Sequence, residues 1–328
     1  MSLSEGNMVD LSGYGYEGTA PMPAGHAPGR VTERRGARYA VMTGMGEVKA
    51  TLAGALTHKA AIRADLPCVG DFVAVKGIAS GTAQIAGVLP RKSYLSRSDG
   101  FGHGYAHIKA NGAQPMAANF DYAFIMTSLN LDFSVDRVLR YVALTVACGG
   151  RPVVLLTKSD LVGDARDWEA RMGEAAPDCP IHAVSARTGQ GLGGLAAYLL
   201  PGMTSIFLGM SGVGKSSLLN ALMGDEVMAV AAVRERDDRG RHKTTHRALF
   251  MLPSGGMVID TPGMRELGLT KAARGSVGEV FREIAELTRE CRFADCSHTV
   301  EPGCAVLAAL GAGTLSHGRW KAYKSISR

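Results

Sequence analysis

At 328 residues the chain is long enough for two or three domains, and 46% hydrophobic with 20% charged residues excludes a disordered chain. No apolar run approaches the ~18 residues a membrane span needs, and the first six residues lack the basic and apolar blocks of a secretory signal, so a cytoplasmic location is expected. The net charge of +6 is uneven: residues 1–112 carry 12 Lys+Arg against 8 Asp+Glu, residues 113–270 carry 15 against 16, and residues 271–328 carry 9 against 6. Basic flanks suit a polyanion such as nucleic acid, and equally suit a merely solvated surface.

Residues 1–34 are rich in Gly, Pro and Ser and read as a flexible arm. From 35 to 112 short alternating runs, Arg38–Thr43, Glu47–Leu52, Asp71–Lys76 and Thr82–Leu89, are separated by Gly-containing turns. Such pairs predict a small antiparallel barrel of OB-fold size, a frequent oligonucleotide binder. Residues 91–112, with Arg91, Lys92, Arg97 and Lys109, read as a basic connecting loop.

From 113 to 270 the rhythm becomes strand–helix alternation, which predicts a parallel α/β sheet. Buried strands are expected at Tyr122–Ser128, Pro152–Thr157, Ile181–Val184, Thr204–Leu208 and Met257–Ile259. Helices are expected at Val135–Cys148, Leu192–Leu200 and Lys215–Leu222. An amphipathic helix over Val277–Arg289 then opens a small C-terminal domain, residues 271–328.

Four strand-end motifs carry chemistry. Thr157-Lys158-Ser159-Asp160 resembles the guanine-reading N-K-x-D element. Asp160 would accept from the guanine N1–H and N2 amino group, Lys158 would lie along the base, and Thr157 replaces the usual Asn but keeps a hydroxyl donor. Ser185-Ala186-Arg187 resembles the S-A-[KR] element that meets guanine O6. Gly209-Met210-Ser211-Gly212-Val213-Gly214-Lys215-Ser216 matches the phosphate-binding P-loop without a mismatch, between a strand and a helix, with Ser217 next to it. Lys215 is expected at the β/γ-phosphates and the Ser216 hydroxyl on Mg²⁺. Asp260-Thr261-Pro262-Gly263 matches D-x-x-G, with Asp260 toward Mg²⁺ and the Gly263 N–H toward the γ-phosphate.

Between the last two motifs, Gly240-Arg241-His242-Lys243-Thr244-Thr245 reads as switch I. Thr244 is the first choice for a second Mg²⁺ ligand and Thr245 the second. Met264 follows Gly263 where a water-orienting Gln would stand, which leaves His242 as the nearest catalytic candidate by type; the competing reading is a solvent-exposed loop histidine. Near the C-terminus, Cys291-x₄-Cys296-x-His298-x₅-Cys304 supplies a Cys₃His set, which predicts one structural Zn²⁺ with no open position.

The base motifs precede the phosphate motifs, the reverse of an ordinary GTPase, so the sheet is circularly permuted. The permuted order, the Gly-Arg-His-x-Thr-Thr segment, the Cys-x₄-Cys-x-His-x₅-Cys spacing around Glu301-Pro302-Gly303, and the junction from Gln114 to Asp121 together resemble one family. It is the bacterial small-ribosomal-subunit-dependent GTPase A family, RsgA or YjeQ, and the resemblance runs from about residue 35 to the end. It implies a multidomain fold: an N-terminal all-β OB-fold barrel, a central circularly permuted P-loop GTPase domain and a C-terminal helical zinc domain. It further implies GTP and GDP as ligands, the 30S subunit and 16S rRNA as partners with no membrane, a monomer, subunit-stimulated hydrolysis late in 30S maturation, and a catalytic switch I histidine, matching His242. Lys243 stands where the family commonly has Thr. A nucleotide-gated RNA-binding module with negligible turnover is the alternative, and a general P-loop ATPase is disfavoured by Asp160.

Overall fold

The computed structural model describes residues 8–78, 83–97, 114–130, 133–224, 247–260 and 277–327. Five strands build the N-terminal barrel: β1 (Ala27–Arg35), β2 (Arg38–Thr43), β3 (Gly46–Leu52), β4 (Phe72–Lys76) and β5 (Ala83–Val88). They hydrogen-bond in the order β1-β2-β3-β5-β4, and β4 returns to β1 to close the cylinder. Period-two alternation explains its filling: Val31, Tyr39, Val41, Ala50, Val73, Val75 and Ile85 point inward and are buried together.

Two short strands, β6 (Tyr94–Arg97) and β7 (Gln114–Ala118), pair antiparallel and lead into the second domain. Its elements are β8 (Tyr122–Ser128), α2 (Val135–Ala147), β9 (Arg151–Thr157), α3 (Arg166–Ala175), β10 (Ile181–Val184), β11 (Thr204–Leu208), α4 (Lys215–Met223), β12 (Arg247–Met251) and β13 (Met257–Asp260); α1 (Gly54–Lys59) lies in the barrel. The sheet order is β10-β9-β8-β11-β13-β12, parallel except for the β12–β13 pair. The inner strands are buried on both faces, as a sheet covered by helices requires.

The barrel and this sheet are continuous. β12, the edge of the parallel sheet, pairs with β1 through Glu33 opposite Ala248 and Arg34 opposite Arg247. Below that seam the Arg30 side chain, 1% exposed, leaves the barrel and donates to the carbonyl of Asn119 (3.0 Å), the Thr204 hydroxyl (2.9 Å) and the Tyr14 carbonyl. Its guanidinium also lies 4.8 Å from the Phe72 ring centre. Burial pushes Arg30 down to about 10, with Asp121 and Asp71 acting the other way, so it keeps its charge at neutral pH. A second clamp is the Arg91–Asp71 pair: Asp71 is fully buried, and Arg91 also donates to the carbonyls of Ala64 (2.7 Å) and Leu66 (3.1 Å).

Of the C-terminal helices α5 (Val277–Val280), α6 (Arg282–Arg289), α7 (Ala305–Ala312) and α8 (His317–Ile326), α5 and α8 pack on α2, and α8 also packs on α3. Val277, Phe281, Ile284, Val306, Leu315 and Trp320 share one core with Leu139, Ala143 and Ala175. Arg319, 5% exposed, spans that seam, reaching Glu283 (2.7 Å) and the carbonyls of Ala175 (2.6 Å) and Val280.

Several expectations need correction. The flexible arm over residues 1–34 contains β1, whose alternation was hidden by its Arg and Glu residues. Residues ahead of it also pack, with the Tyr16 ring 5.4 Å from Phe72 and Tyr14 against the main core. The basic loop over 91–112 contains β6 and the Arg91 clamp. The helix over Val277–Arg289 is interrupted at Phe281 (φ −120°, ψ 52°), whose ring is buried 4.0 Å beneath the Arg319 guanidinium. The segment Leu192–Tyr198 is a 3₁₀ helix, consistent with Gly193 and Gly194 in its first turn.

Candidate nucleotide site and cysteine–histidine cluster

Three of the strand-end motifs, and Asp260 of the fourth, lie along one edge of the parallel sheet, at the carboxyl ends of β9, β10, β11 and β13. A parallel α/β sheet binds its ligands there. The base motifs sit on β9 and β10, the phosphate motifs on β11 and β13, and β8 lies between the two pairs.

At the base end, Lys158 follows β9 with φ 58° and ψ 39°, a left-handed conformation rare for a side chain with a Cβ. The turn carries Asp160 into a 3₁₀ turn, Ser159–Leu161, beside the end of β10. Ser185 donates its hydroxyl to one Asp160 oxygen at 2.6 Å, and Arg187 donates Nε–H to the other at 2.8 Å. These donors hold the Asp160 carboxyl below the usual carboxylate range, the Ser185 hydroxyl contributing most. Asp160 is therefore an ionised acceptor at neutral pH, as reading of N1–H and N2–H requires. Ala186 joins the two donors in chain order. Gln190, which sequence reading missed, ties the loop by accepting at its carbonyl from the Ser185 N–H (2.9 Å); the glycines on either side of it, Gly189 and Gly191, both at positive φ, were the available signal.

At the phosphate end the loop runs from Gly209 to Ser216, between β11 and α4. Gly212 (φ 80°) and Gly214 (φ 104°) take left-handed conformations that L side chains resist, and Gly214 is the residue from which α4 starts. Lys215 donates to the carbonyls of Gly209 and Met210, both at 2.7 Å, folding its amine over the loop. Burial pushes Lys215 down to about 8, while Asp260 pulls it upward. Ser211 is exposed, Val213 is buried, and Ser216 and Ser217 stand half-buried on the first turn of α4. Asp260 ends β13, 5% exposed, on the strand next to β11. Thr157 joins the two halves: its hydroxyl donates to the Val213 carbonyl at 2.7 Å. The expected His242, Thr244 and Gly263 lie outside the described residues.

In the C-terminal domain the ligand atoms of Cys291, Cys296, His298 and Cys304 all fall within 4.8 Å of one another. Individual separations are 3.5 Å for Cys291 Sγ to His298 Nδ1, 3.4 Å for His298 Nδ1 to Cys304 Sγ and 3.9 Å for Cys291 Sγ to Cys304 Sγ. A tetrahedral ion with Zn–S bonds of ~2.3 Å sets its ligands ~3.8 Å apart, so this donor set fits such an ion. His298 takes φ 57° to turn its ring inward. Glu301 braces the loop, accepting from the N–H groups of Ser297 (2.8 Å), Thr299 (2.9 Å) and Val300 (3.1 Å). No helix among the described residues is long and apolar enough to cross a membrane.

Comparison with known proteins agrees with this architecture. The profile of the RsgA GTPase family matches residues 88–270. A protein of Opitutus terrae named small ribosomal subunit biogenesis GTPase RsgA is 42% identical over 310 residues, covering 92% of this chain and 83% of that protein. The protein of the same name from Streptomyces avermitilis is 47% identical over 264 residues, covering 80% and 69%. The crystal structure of YjeQ from Thermotoga maritima superposes with a TM-score of 0.68 at 25% identity, covering 92% of this chain and 97% of that one. With the phosphate and base motifs on one sheet edge in permuted order, and relatives this similar over most of its length, the chain belongs to the RsgA family of circularly permuted GTPases.

Proposed function

We propose that this protein is a GTPase that binds the small ribosomal subunit and hydrolyses GTP to GDP and phosphate during late subunit maturation. The observation that carries the reading is the gathering of a complete P-loop, Asp260 and an ionised Asp160 along one strand-end edge, in a chain of the RsgA family. Names of the relatives include both the subunit and the GTPase activity, which favours turnover over a nucleotide-gated binding module.

The residues divide the work. Asp160 accepts from guanine, Ser185 and Arg187 hold its carboxylate, and Lys158 lies along the base. N–H groups from Gly209 to Ser217 turn toward the phosphates, reinforced by the start of α4. Ser216 and Asp260, with Thr244 from switch I, would hold Mg²⁺, which would supply positive charge against the charge that develops on the phosphates. Gly263 brings its N–H to the γ-phosphate, and His242 orients the attacking water in place of the missing Gln.

The flanking domains serve attachment. The strand order β1-β2-β3-β5-β4 with β4 closing on β1 supports an OB-fold, and its basic surplus suits 16S rRNA. Cys291, Cys296, His298 and Cys304 hold one structural Zn²⁺ that shapes the tail for the same surface. The working form is a cytoplasmic monomer.

The test is Ser216→Ala. Removing a metal ligand should abolish GTP turnover while the circular dichroism spectrum stays that of the wild type. Wild-type turnover by this variant would show the phosphate site to be misplaced.

A further inference from the structure

Three of the four clustered ligand side chains end in a sulfur, which can meet an ion from many directions, whereas His298 must aim a planar ring. Its Nδ1 faces the sulfurs of Cys291 (3.5 Å) and Cys304 (3.4 Å). Glu301 pins the main chain on both sides of it, at the Ser297 and Thr299 N–H groups. The turn of the ring is a separate matter. A metal-ligating histidine ordinarily fixes it by donating from its second ring nitrogen to a carboxylate or carbonyl. Among the described residues the hydrogen-bond contacts of the His298 ring all run through Nδ1. Trp320 of α8 meets the ring instead, its centre 5.7 Å away and the two planes at 89°. Trp320 is itself held. It is 8% exposed, stacks on Tyr323 (5.5 Å, 16°) and carries the Lys324 ammonium 5.4 Å from its ring centre. Tyr323 in turn meets the buried Phe281 ring (5.6 Å, 71°), so the stack is rooted in the core that α8 shares with the nucleotide domain.

We propose that Trp320 is a positioning residue for the metal cluster, its ring holding the His298 imidazole at the angle that aims Nδ1 among the three sulfurs. Edge-to-face packing of two aromatic rings is directional, because the electron-poor rim of one meets the electron-rich face of the other. A saturated side chain of similar bulk would fill the same space and leave the imidazole free to rotate about its terminal torsion, which has no sharp staggered preference of its own. The left-handed backbone at His298 (φ 57°) brings the ring to the cluster, and Trp320 then sets its turn. The inference rests on the reading of Cys291, Cys296, His298 and Cys304 as the ligands of one Zn²⁺.

The test compares the full-length wild type, Trp320→Phe and Trp320→Leu by two readouts. One is Zn²⁺ affinity, from competition with a chromophoric chelator. The other is the visible spectrum of the Co²⁺-loaded protein, whose bands follow the number of sulfur and nitrogen ligands on the ion. Trp320→Leu should weaken Zn²⁺ by about tenfold, the low end for losing a group that orients a metal ligand, and its Co²⁺ spectrum should move to that of His298→Ala. Trp320→Phe keeps an aromatic edge and should retain the wild-type affinity and spectrum. Three results would overturn the positioning role. Trp320→Leu could match the wild type in both readouts. It could bind more weakly with the wild-type Co²⁺ spectrum, the mark of a loosened tail with His298 still bound. Or Trp320→Phe could fail as Trp320→Leu does. Failure of the wild type to hold either ion would refute the ligand reading itself, and the positioning role with it. If Trp320→Leu does not fold, the chain's two tryptophans offer a second measurement. In Trp168→Phe the remaining indole is Trp320, and stripping the metal should change its emission as the His298 ring turns away. Emission unchanged by metal removal would overturn the proposal.

Discussion

Lys215 is the residue whose chemistry most exceeds what its motif discloses. A P-loop lysine is expected from the sequence, but its burial against two loop carbonyls, and the drop to about 8, follow only from the fold. The sign of the consequence can be worked out. In the free protein the amine is cationic at pH 7 and largely neutral at pH 9, whereas bound phosphates favour the cation and raise its pKa. Binding above pH 8 must therefore take up a proton, and affinity falls as pH rises. GDP affinity should be level up to about pH 7 and then decline between pH 8 and 9, approaching tenfold per unit. Calorimetry in buffers of different ionisation enthalpy should detect the proton taken up. A level affinity to pH 9 without proton uptake would mean that Lys215 stays charged in the empty site.

Other residues were legible to different degrees. Asp160, Ser185 and Arg187 stand in short motifs at neighbouring strand ends, and the parallel β9–β10 pairing brings them together. The Thr157–Val213 bond joins residues 56 apart on separate strands, and no local pattern encodes it. Lys158 and His298, at φ 58° and 57°, adopt a conformation that sequence does not announce for Lys or His. Both stand at proposed ligand sites, where surrounding structure sustains local strain.

Among the elements, the buried strands of the parallel sheet were the clearest in sequence. Tyr122–Ser128, Ile181–Val184 and Thr204–Leu208 were expected with the bounds observed, because continuous apolar runs flanked by turns have few alternatives. Edge and joining strands were not. β1 carries Arg30, Glu33, Arg34 and Arg35 within its nine residues and β12 opens on Arg247, and their pairing is a tertiary event. The Cys–His cluster was legible in its four side chains, which the fold gathers within 4.8 Å, but not in its brace. Glu301 accepts from the N–H groups of Ser297, Thr299 and Val300 and from the Ser297 hydroxyl, and those bonds hold its carboxyl far below the usual range, the hydroxyl contributing most. Glu301→Gln should weaken zinc binding by about 10- to 100-fold, the scale for losing a group that orients metal ligands. Competition with a chromophoric chelator measures it, and unchanged affinity would show that the loop needs no brace.

For the whole molecule, the permutation decides how the parts connect. D-x-x-G, whose Asp260 ends β13, is followed in the chain by the C-terminal helices, while β12 beside it is paired to the barrel. Arg30 on one side and Arg319 on the other lock barrel and tail to the same nucleotide domain. Fixed attachment on both flanks would let a ribosomal surface that grips them act on the short segments between, where switch I and His242 lie in sequence. This order was evident from the motifs alone, since only their sequence along the chain is needed to see it. The two locks were not, because each is one arginine reaching across a seam.

The most direct test of the central claim is GTP turnover with and without purified small ribosomal subunits, run on the wild type and on His242→Ala. The wild type should accelerate at least about tenfold with subunits, as expected when a partner completes the alignment of groups around the developing charge. His242→Ala should bind GTP as the wild type does and lose stimulated turnover by roughly 10². Equal wild-type turnover with and without subunits would contradict the account.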